Sequence, residues 1–503
     1  MESQKILFVI FFKVSKYALS FIFFYLMIIF YEPSVIGTVR FTISFVAIFS
    51  FIFNLGFTIA HLKIYPEEED KAASIGALLI FKIFFILISL IFYFILLSFF
   101  KLNEIILQII IIFIFEQIIQ GINSSMTNIL IADNEIIKGS FPWVIISSSK
   151  IVLLILGLFI FPTNVLLLSL IYLFSTLFHT GFLLIYIIPY KIKKPTKKIL
   201  KKYLKYTYPL SFSSIAVLIS ENIGIILINF WISPEAVAYY YAGDHLSVFR
   251  TILPNIISLV MLSIFSKNIK DSKSEKNMQI IRKISKYLCI FWGMVIILSF
   301  SYSDEFILIF MGDAYYQSIF VFNILILTHI IVINDVAVFT DLNARGLTKL
   351  FSIIKFIGEI YNIFLTIYFV APFGLNLGIN GLALSILFRY ITYTPIVRIY
   401  LWKKYKYPYN FGIFLYLGVA FITFLITNII TSNFDLVKQF YLIPIFALIS
   451  ISLYFGLLYL LKGINKEDLK YFKLFLNIKL LINILYEDLA VKNNKSENNR
   501  KIG

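Results

Sequence analysis

Apolar residues fall along this chain in long runs, each closed by a short polar segment. Fourteen runs are discernible: roughly Lys16–Tyr31, Val35–Ile59, Ser74–Phe99, Ile105–Ala132, Phe141–Phe161, Val165–Ile188, Pro209–Ile232, Ala236–Phe265, Tyr287–Phe300 (continuing toward Phe310), Ser318–Leu342, Leu350–Ala371, Ile379–Leu401, Phe411–Ile430 and Phe440–Leu461. A bilayer core takes roughly 20 apolar residues per helix. The pattern therefore predicts an all-α polytopic membrane protein of about 14 transmembrane helices. After Lys462, the stretch Lys466–Leu489 mixes Leu469, Phe472 and Leu476 with Lys470, Lys473 and Lys479, as a helix lying along the cytoplasmic face does. The last dozen residues, rich in Asn and Lys, read as disordered.

Composition agrees. Apolar residues make up 60% and charged residues 14% of 503, and mean hydropathy is +0.91. A soluble domain carries about 25% charge, so lipid must be the solvent for much of this surface. The apolar stretch after Lys5 is long, is interrupted by Lys13 and Lys16, and lacks a small-residue cleavage site, so it reads as the first membrane helix and not a signal peptide. A single cysteine, Cys289, rules out an internal disulfide.

The net charge of +17 invites a nucleic-acid reading, but the positions of the charges assign it to membrane topology. With the N-terminus inside, the inner segments hold 36 of the 44 Lys and Arg residues. The outer loops hold 2, Lys101 and Lys438, and 6 lie inside spans. Positive residues mark cytoplasmic loops, so both termini are expected in the cytoplasm, with no nucleic-acid partner. The basic loop Lys191–Lys205 stands between the sixth and seventh spans.

An internal echo recurs about 201 residues apart: Pro33-Ser34-Val35-Ile36-Gly37-Thr38 against Pro234-Glu235-Ala236-Val237-Ala238-Tyr239. A second pairs Leu130-Ile131-Ala132…Lys138 with Leu342-Asn343-Ala344…Lys349. Six spans restore the same topology, so two pseudo-symmetric six-helix lobes in parallel orientation are expected, with a site between them. The division is residues 1–206 (first lobe and basic linker), 207–409 (second lobe), 410–462 (two additional helices) and 463–503 (amphipathic and disordered cytoplasmic tail).

Ionisable residues inside a span are expensive and normally face the bundle interior or a water-filled cavity. Here they are Arg40, Lys82, Glu116, Lys150, Glu221, Asp244, His245, Arg250, Asp335, Asp341, Lys355, Glu359 and Arg389. At about 100° per residue, the eighth span places Asp244, Ser247, Arg250, Thr251, Asn255 and Ser258 within an arc of about 140°, and Pro254 is expected to kink it at Arg250. Arg40, Ser44, Asn54 and Thr58 share a face of the second span, and Glu221 shares one with Ser214 in the seventh. These three stripes are assigned to one hydrated cavity. Glu116, Gln120, Asn123 and Thr127 form a fourth stripe, with Lys150 a partner for Glu116. Ser352, Lys355, Glu359, Asn362 and Thr366 form a fifth, in which Lys355 and Glu359, four residues apart, neutralise each other. Arg389 joins the charge-pairing set, and Lys82 reaches out to the cytoplasmic face as a structural residue. The four histidines have no metal-ligand spacing. No P-loop, metal cluster or nucleophile elbow is present, so neither a cofactor nor catalysis is expected.

The order of short motifs resembles a known family. Pro33–Gly37 follows the first span, and Asn54-Leu55-Gly56-Phe57 closes the second. Met311-Gly312-Asp313-Ala314-Tyr315 leads into the tenth span. Leu342-Asn343-Ala344-Arg345-Gly346, Asn362, Pro372-Phe373-Gly374 and Gly378-Ile379-Asn380-Gly381-Leu382-Ala383 follow. This succession, over about residues 10–460, resembles the polysaccharide-biosynthesis, O-antigen-type flippases of the multidrug/oligosaccharidyl-lipid/polysaccharide exporter superfamily. The resemblance implies alternating-access transfer of a polyprenyl-phosphate- or pyrophosphate-linked oligosaccharide across the cytoplasmic membrane, through a cationic cavity between two lobes. Membrane lipids and other glycan-assembly proteins are the further partners it implies. Arg40 and Arg250 are then the cations that meet the phosphate, and Asn54, Ser247, Thr251 and Asn255 meet sugar hydroxyls. Glu221 and Asp244 keep two roles open, holding the arginines or binding a coupling ion. Three other assignments compete: a drug antiporter of the same superfamily, a lipid II flippase, and a membrane-embedded glycan polymerase or glycosyltransferase. The last commonly carries a large outer loop, whereas every outer loop here is short.

Overall fold

The computed structural model describes residues 2–50, 55–99, 103–160, 164–270, 274–432, 434, 439–465 and 468. There the expected spans are helical, except for breaks in the second and the eighth. In the second, Leu55 and Gly56 (φ 90) are not helical, so the face expected for Arg40, Ser44 and Thr58 is split between two helices. The first half consists of α1 (Glu2–Phe30), α2 (Pro33–Phe49), α3 (Phe57–Ile64), α4 (Lys71–Phe99), α5 (Glu104–Ala132), α6 (Ile136–Ser140), α7 (Pro142–Ile160) and α8 (Val165–Ile187). The second consists of α9 (Lys197–Trp231), α10 (Pro234–Leu246), α11 (Phe249–Lys270), α12 (Ser274–Met311), α13 (Ser318–Ala344), α14 (Thr348–Val370) and α15 (Gly378–Tyr405). Two more helices, α16 (Gly412–Thr431) and α17 (Ile443–Leu460), complete the described chain. Among the described residues, 13 helices are long and apolar enough to cross a membrane. The second span supplies a shorter apolar helix, Pro33–Phe49, followed by α3. Asn54, Lys101, Lys438 and the amphipathic stretch Lys466–Leu489, apart from Asp468, lie outside the described residues.

The two echoes occupy equivalent structural positions. α2 and α10 each begin with proline in the first turn, Pro33 and Pro234, where the missing N–H costs no helical hydrogen bond. α5 and α13 end alike: Asn134 (φ 62) and Gly346 (φ 74) turn left-handed. In each, the next amide reaches back to the helix, Glu135 N to Leu130 O at 2.9 Å and Leu347 N to Leu342 O at 3.0 Å. That is the Schellman stop.

α1, α5, α7 and α8 pack together, as do α11 to α15 with one another, while α14 lies along α9 and α16 along α12. α2 crosses between the halves and packs on both α9 and α10. Its approach to α10 is backbone-close: a Cβ on Gly37 would run into the Pro234 carbonyl and reach 3.3 Å from Ala238 N. Exposed Phe, Ile and Leu residues along α4, α8, α16 and α17 face outward, toward lipid.

The eighth span departs from expectation. It breaks at Ser247, between α10 and α11, and not at Pro254, which lies inside α11. Around the break, Val248 N, Arg250 N and Thr251 N bond three residues back, at 2.9 to 3.1 Å. The Ser247 hydroxyl takes up the Asp244 carbonyl at 2.7 Å. The arc of about 140° assumed one continuous helix, so it does not hold across Ser247.

Candidate functional site

The break decides what Arg250 does. In a continuous helix, residues six apart point about 120° away from each other. Here Arg250 Nη2 meets Asp244 Oδ1 at 2.5 Å, with the two side chains 19% and 30% exposed. The partner of Arg250 is thus Asp244 and not Glu221. Ser247 is fully buried, its hydroxyl spent on the Asp244 carbonyl, so it meets no ligand in this conformation. Thr251 likewise donates to Val248 O at 2.8 Å.

Arg40 is differently placed. It rises from α2 with its guanidinium carbon 4.9 Å from the ring centre of Tyr241 on α10. Its Nε is buried with no hydrogen-bond partner, and among the described residues it makes no ion pair. It lines a cavity of about 140 Å³ whose wall includes Glu116, Lys150, Tyr172, Tyr241 and His245. Glu116 is 2% exposed and accepts from Thr176 (3.0 Å), Gln120 (2.5 Å) and Gln117 (3.3 Å). Lys150 sits 4.0 Å from the Tyr172 ring centre. It shares the cavity with Glu116 without an ion-pair contact among the described residues, because hydrogen bonds from neighbouring side chains already occupy that carboxylate.

His245 lies off the expected polar arc but belongs to this wall. Its ring stands 4.4 Å from Phe24 and 5.3 Å from Tyr241, with Nε2 3.4 Å from Ser20 O. Tyr172, Tyr241 and His245 were not legible as site residues, since their cavity forms only where α1, α2, α5, α7, α8 and α10 converge. Helical periodicity, which treats one helix at a time, has no access to it.

Glu221, on α9, is exposed and lies within electrostatic reach of Lys355, Glu359, Asp244 and Arg40. Charges on α2, α10 and α14 therefore act on Glu221 of α9, although Arg40 lines one cavity and Lys355 and Glu359 another. Farther along α14, Asn362 donates to Ser220 at 2.9 Å and Thr366 meets Ser385 at 3.1 Å, so that end of the fifth stripe is packing.

A third region lies wholly in the second half. A cavity of about 600 Å³ is lined by Asn255 and Ser258 of α11, Asp335 of α13, Lys355 and Glu359 of α14 and Arg389 of α15. Glu359 does not pair with Lys355. It takes a bidentate grip from Arg389, at 2.9 and 2.8 Å, a geometry the planar guanidinium favours over an ammonium. Asp335 lies 3.3 Å from Arg398, both under 5% exposed. Arg398 is buried within α15. Lys82 is also interior, 3% exposed, and does not reach the surface.

Comparison with known proteins fixes the family. Residues 3–269, just over half of the chain, match the family described as polysaccharide biosynthesis protein. The chain belongs to that family. A search of curated proteins by sequence finds no match. Among solved structures, the lipid II flippase MurJ in an inward closed conformation superposes with a TM-score of 0.72 at 15% identity, over 90% of this chain and 99% of that one. An inward-facing multidrug resistance MATE transporter of the MOP superfamily gives 0.61 at 13%, over 78% and 95%. A MOP transporter from Pyrococcus furiosus, described by the reversed polarity of its binding pocket, gives 0.53 at 15%, over 80% and 95%. At these identities the likeness is one of fold. This member of the polysaccharide biosynthesis family is thus a multi-pass membrane protein with the MurJ/MATE fold.

Proposed function

We propose that this protein is a flippase. It moves a polyprenyl-phosphate- or pyrophosphate-linked oligosaccharide from the inner to the outer leaflet of the cytoplasmic membrane, with both termini cytoplasmic and without catalysis or a cofactor. The lobes 1–206 and 207–409 open alternately, and helices 410–462 flank the second. Arg40 carries the reading: it is a half-buried cation on the helix that bridges the two halves, its Nε is buried without a hydrogen-bond partner, and among the described residues it makes no ion pair. A permanent guanidinium in a membrane protein costs about 2.5–3.5 kcal/mol on insertion scales, and a phosphate is the ligand that offsets that cost with bidentate hydrogen bonds. A cationic wall also disfavours the cationic drugs that an antiporter would carry. Arg250, paired with Asp244, is the second cation; Asn255 and Asn54 are candidates for sugar contacts, and Thr251, whose hydroxyl donates to the Val248 carbonyl, is one only as an acceptor. Glu221 and Glu116 remain candidates for the coupling ion, and Glu359 with Arg389 holds α14 to α15. Glycan-assembly proteins are the expected partners.

The test is a clean deletion in a host without a second flippase, scoring lipid-linked glycan on each leaflet. Accumulation on the cytoplasmic leaflet with loss of surface glycan is expected. Unchanged surface glycan refutes the assignment.

A further inference from the structure

A separate cavity of about 320 Å³ opens where α3 of the first half meets α9 and α14 of the second. By the loop charges it sits on the cytoplasmic side. Lys63, Lys202, Lys205 and Lys349 line it against one lining carboxylate, Glu67. Lys63 lies 2.7 Å from Glu67, and Lys202 lies 3.4 Å from Glu67 and 2.6 Å from Glu68. Lys205 and Lys349 are exposed, and among the described residues neither has an ion-pair partner.

The first turn of α14 faces the same space through Thr348, Lys349 and Ser352. α14 is 23 residues long, and its N-cap is Leu347, which makes no side-chain cap bond. The first amides of a helix have no partner within it, and its N-terminus carries about half a positive charge. A leucine supplies no oxygen to meet either. One turn in, Ser352 is only 6% exposed. Ser352 lines the cavity, and its hydroxyl has no hydrogen-bond partner among the described residues. Free amides, a buried hydroxyl and two uncommitted ammonium groups converge on a site for a tetrahedral oxyanion. The remaining wall is apolar, formed by Ile64 and the Tyr206 ring, so the anion that fits is one attached to a hydrocarbon chain.

We infer that this cleft binds the phosphate or pyrophosphate headgroup of a lipid in the cytoplasmic leaflet, apart from the Arg40 cavity. The inference does not need the chain to flip anything, and its test reads the cleft locally. The full chain in phosphatidylcholine nanodiscs is acylated at its amines, and labelling of Lys205 and Lys349 is followed by mass spectrometry. Separate arms add a short-chain prenyl pyrophosphate, phosphatidylglycerol or inorganic pyrophosphate. The prenyl pyrophosphate is expected to protect both lysines, at least tenfold more potently than inorganic pyrophosphate. Protection by phosphatidylglycerol as well makes the site a general receptor for anionic lipid headgroups. Lys349→Gln, at an exposed position, should raise the concentration that protects Lys205 about tenfold, and Ser352→Ala should raise it severalfold. Equal potency of inorganic pyrophosphate overturns the lipid assignment. Unchanged labelling of both lysines in every arm overturns the site itself. Failure of the flippase proposal shows instead in transport, with protection intact.

Discussion

Replacing Arg40 by glutamine removes the charge but keeps much of the stem, and so separates ligand binding from packing. Two interactions are at stake. The guanidinium stands 4.9 Å from the Tyr241 ring centre, a cation–π contact worth about 0.5–2 kcal/mol between the two halves. A hydrogen bond from a charged donor to a phosphate is worth about 1.5–3 kcal/mol, which is roughly tenfold to a hundredfold in affinity. Because Arg40 has no carboxylate partner among the described residues, no uncompensated acid is left behind, and folding should survive. Arg40→Gln is therefore expected to lower the affinity for a prenyl-pyrophosphate-linked saccharide at least tenfold and slow its flipping to match, with thermal stability within about 2 kcal/mol of the parent. Arg40→Lys should retain part of the activity, since charge survives without the bidentate fork. The assay is reconstitution in liposomes with a fluorescent substrate and an impermeant quencher, alongside thermal melting of the same samples. Flipping at the parental rate in Arg40→Gln refutes phosphate binding by Arg40. Loss of flipping only together with loss of folded protein assigns Arg40 to packing on Tyr241.

Asp244→Asn frees the Arg250 charge and is expected to tighten prenyl-pyrophosphate binding while slowing release; weaker binding would show that Asp244 itself serves the ligand. Arg389→Ala leaves Glu359, 6% exposed, without its partner and should cost about 3–5 kcal/mol; thermal melting should show this, with substantial recovery in the Arg389→Ala/Glu359→Gln double variant. Gly37→Val cannot keep α2 against the Pro234 carbonyl, so a cysteine placed at Ser34 should become more reactive to impermeant thiol reagents than in the parent. Asp133 follows pH: burial pushes its carboxyl up, but hydrogen bonds from Tyr190, Lys71 and Tyr65 outweigh it and hold the carboxyl below its ordinary range. Its stabilising contribution is then present above about pH 4 and lost as pH falls through the depressed value, so melting below that pH should be less acid-sensitive in Asp133→Asn.

The spans were legible because one signal, long apolar runs, suffices to place a helix in lipid. Their boundaries agree closely from α4 to α8 and from α13 to α17. The Pro33 and Pro234 echoes were legible for a related reason, since proline at a helix start is a local requirement. What failed was arithmetic that extended one helix too far. The polar arc of the eighth span required an unbroken helix through Ser247, and the chain breaks there. Pairing failed for another reason. Glu359 had a candidate partner four residues away in Lys355, but Arg389, 30 residues on, offers a planar fork from a neighbouring helix. Sequence spacing ranks partners along one helix and is blind to those across a groove. Tyr241 and His245 were missed on the same ground.

The broken eighth span also bears on how the two halves communicate. α10 touches the first half at both ends of its length: Ala238 backs onto Gly37 near its start, and Tyr241 and His245 pack on Phe24 farther along. α11 belongs to the second half, packed on α13. A continuous helix would carry any tilt of α10 directly into α11. A break at Ser247 allows the two to move separately, and the Asp244–Arg250 pair is the one ion pair that bridges it among the described residues. An anionic headgroup that reaches Arg250 competes with Asp244 for the same guanidinium, and so acts on that bridge directly. In the proposed flippase, ligand charge and helix geometry would thereby be coupled at one residue. That coupling requires Arg250 to keep its charge and Asp244 its position, whereas Arg40 requires only that the cavity stay dry enough for a phosphate to matter.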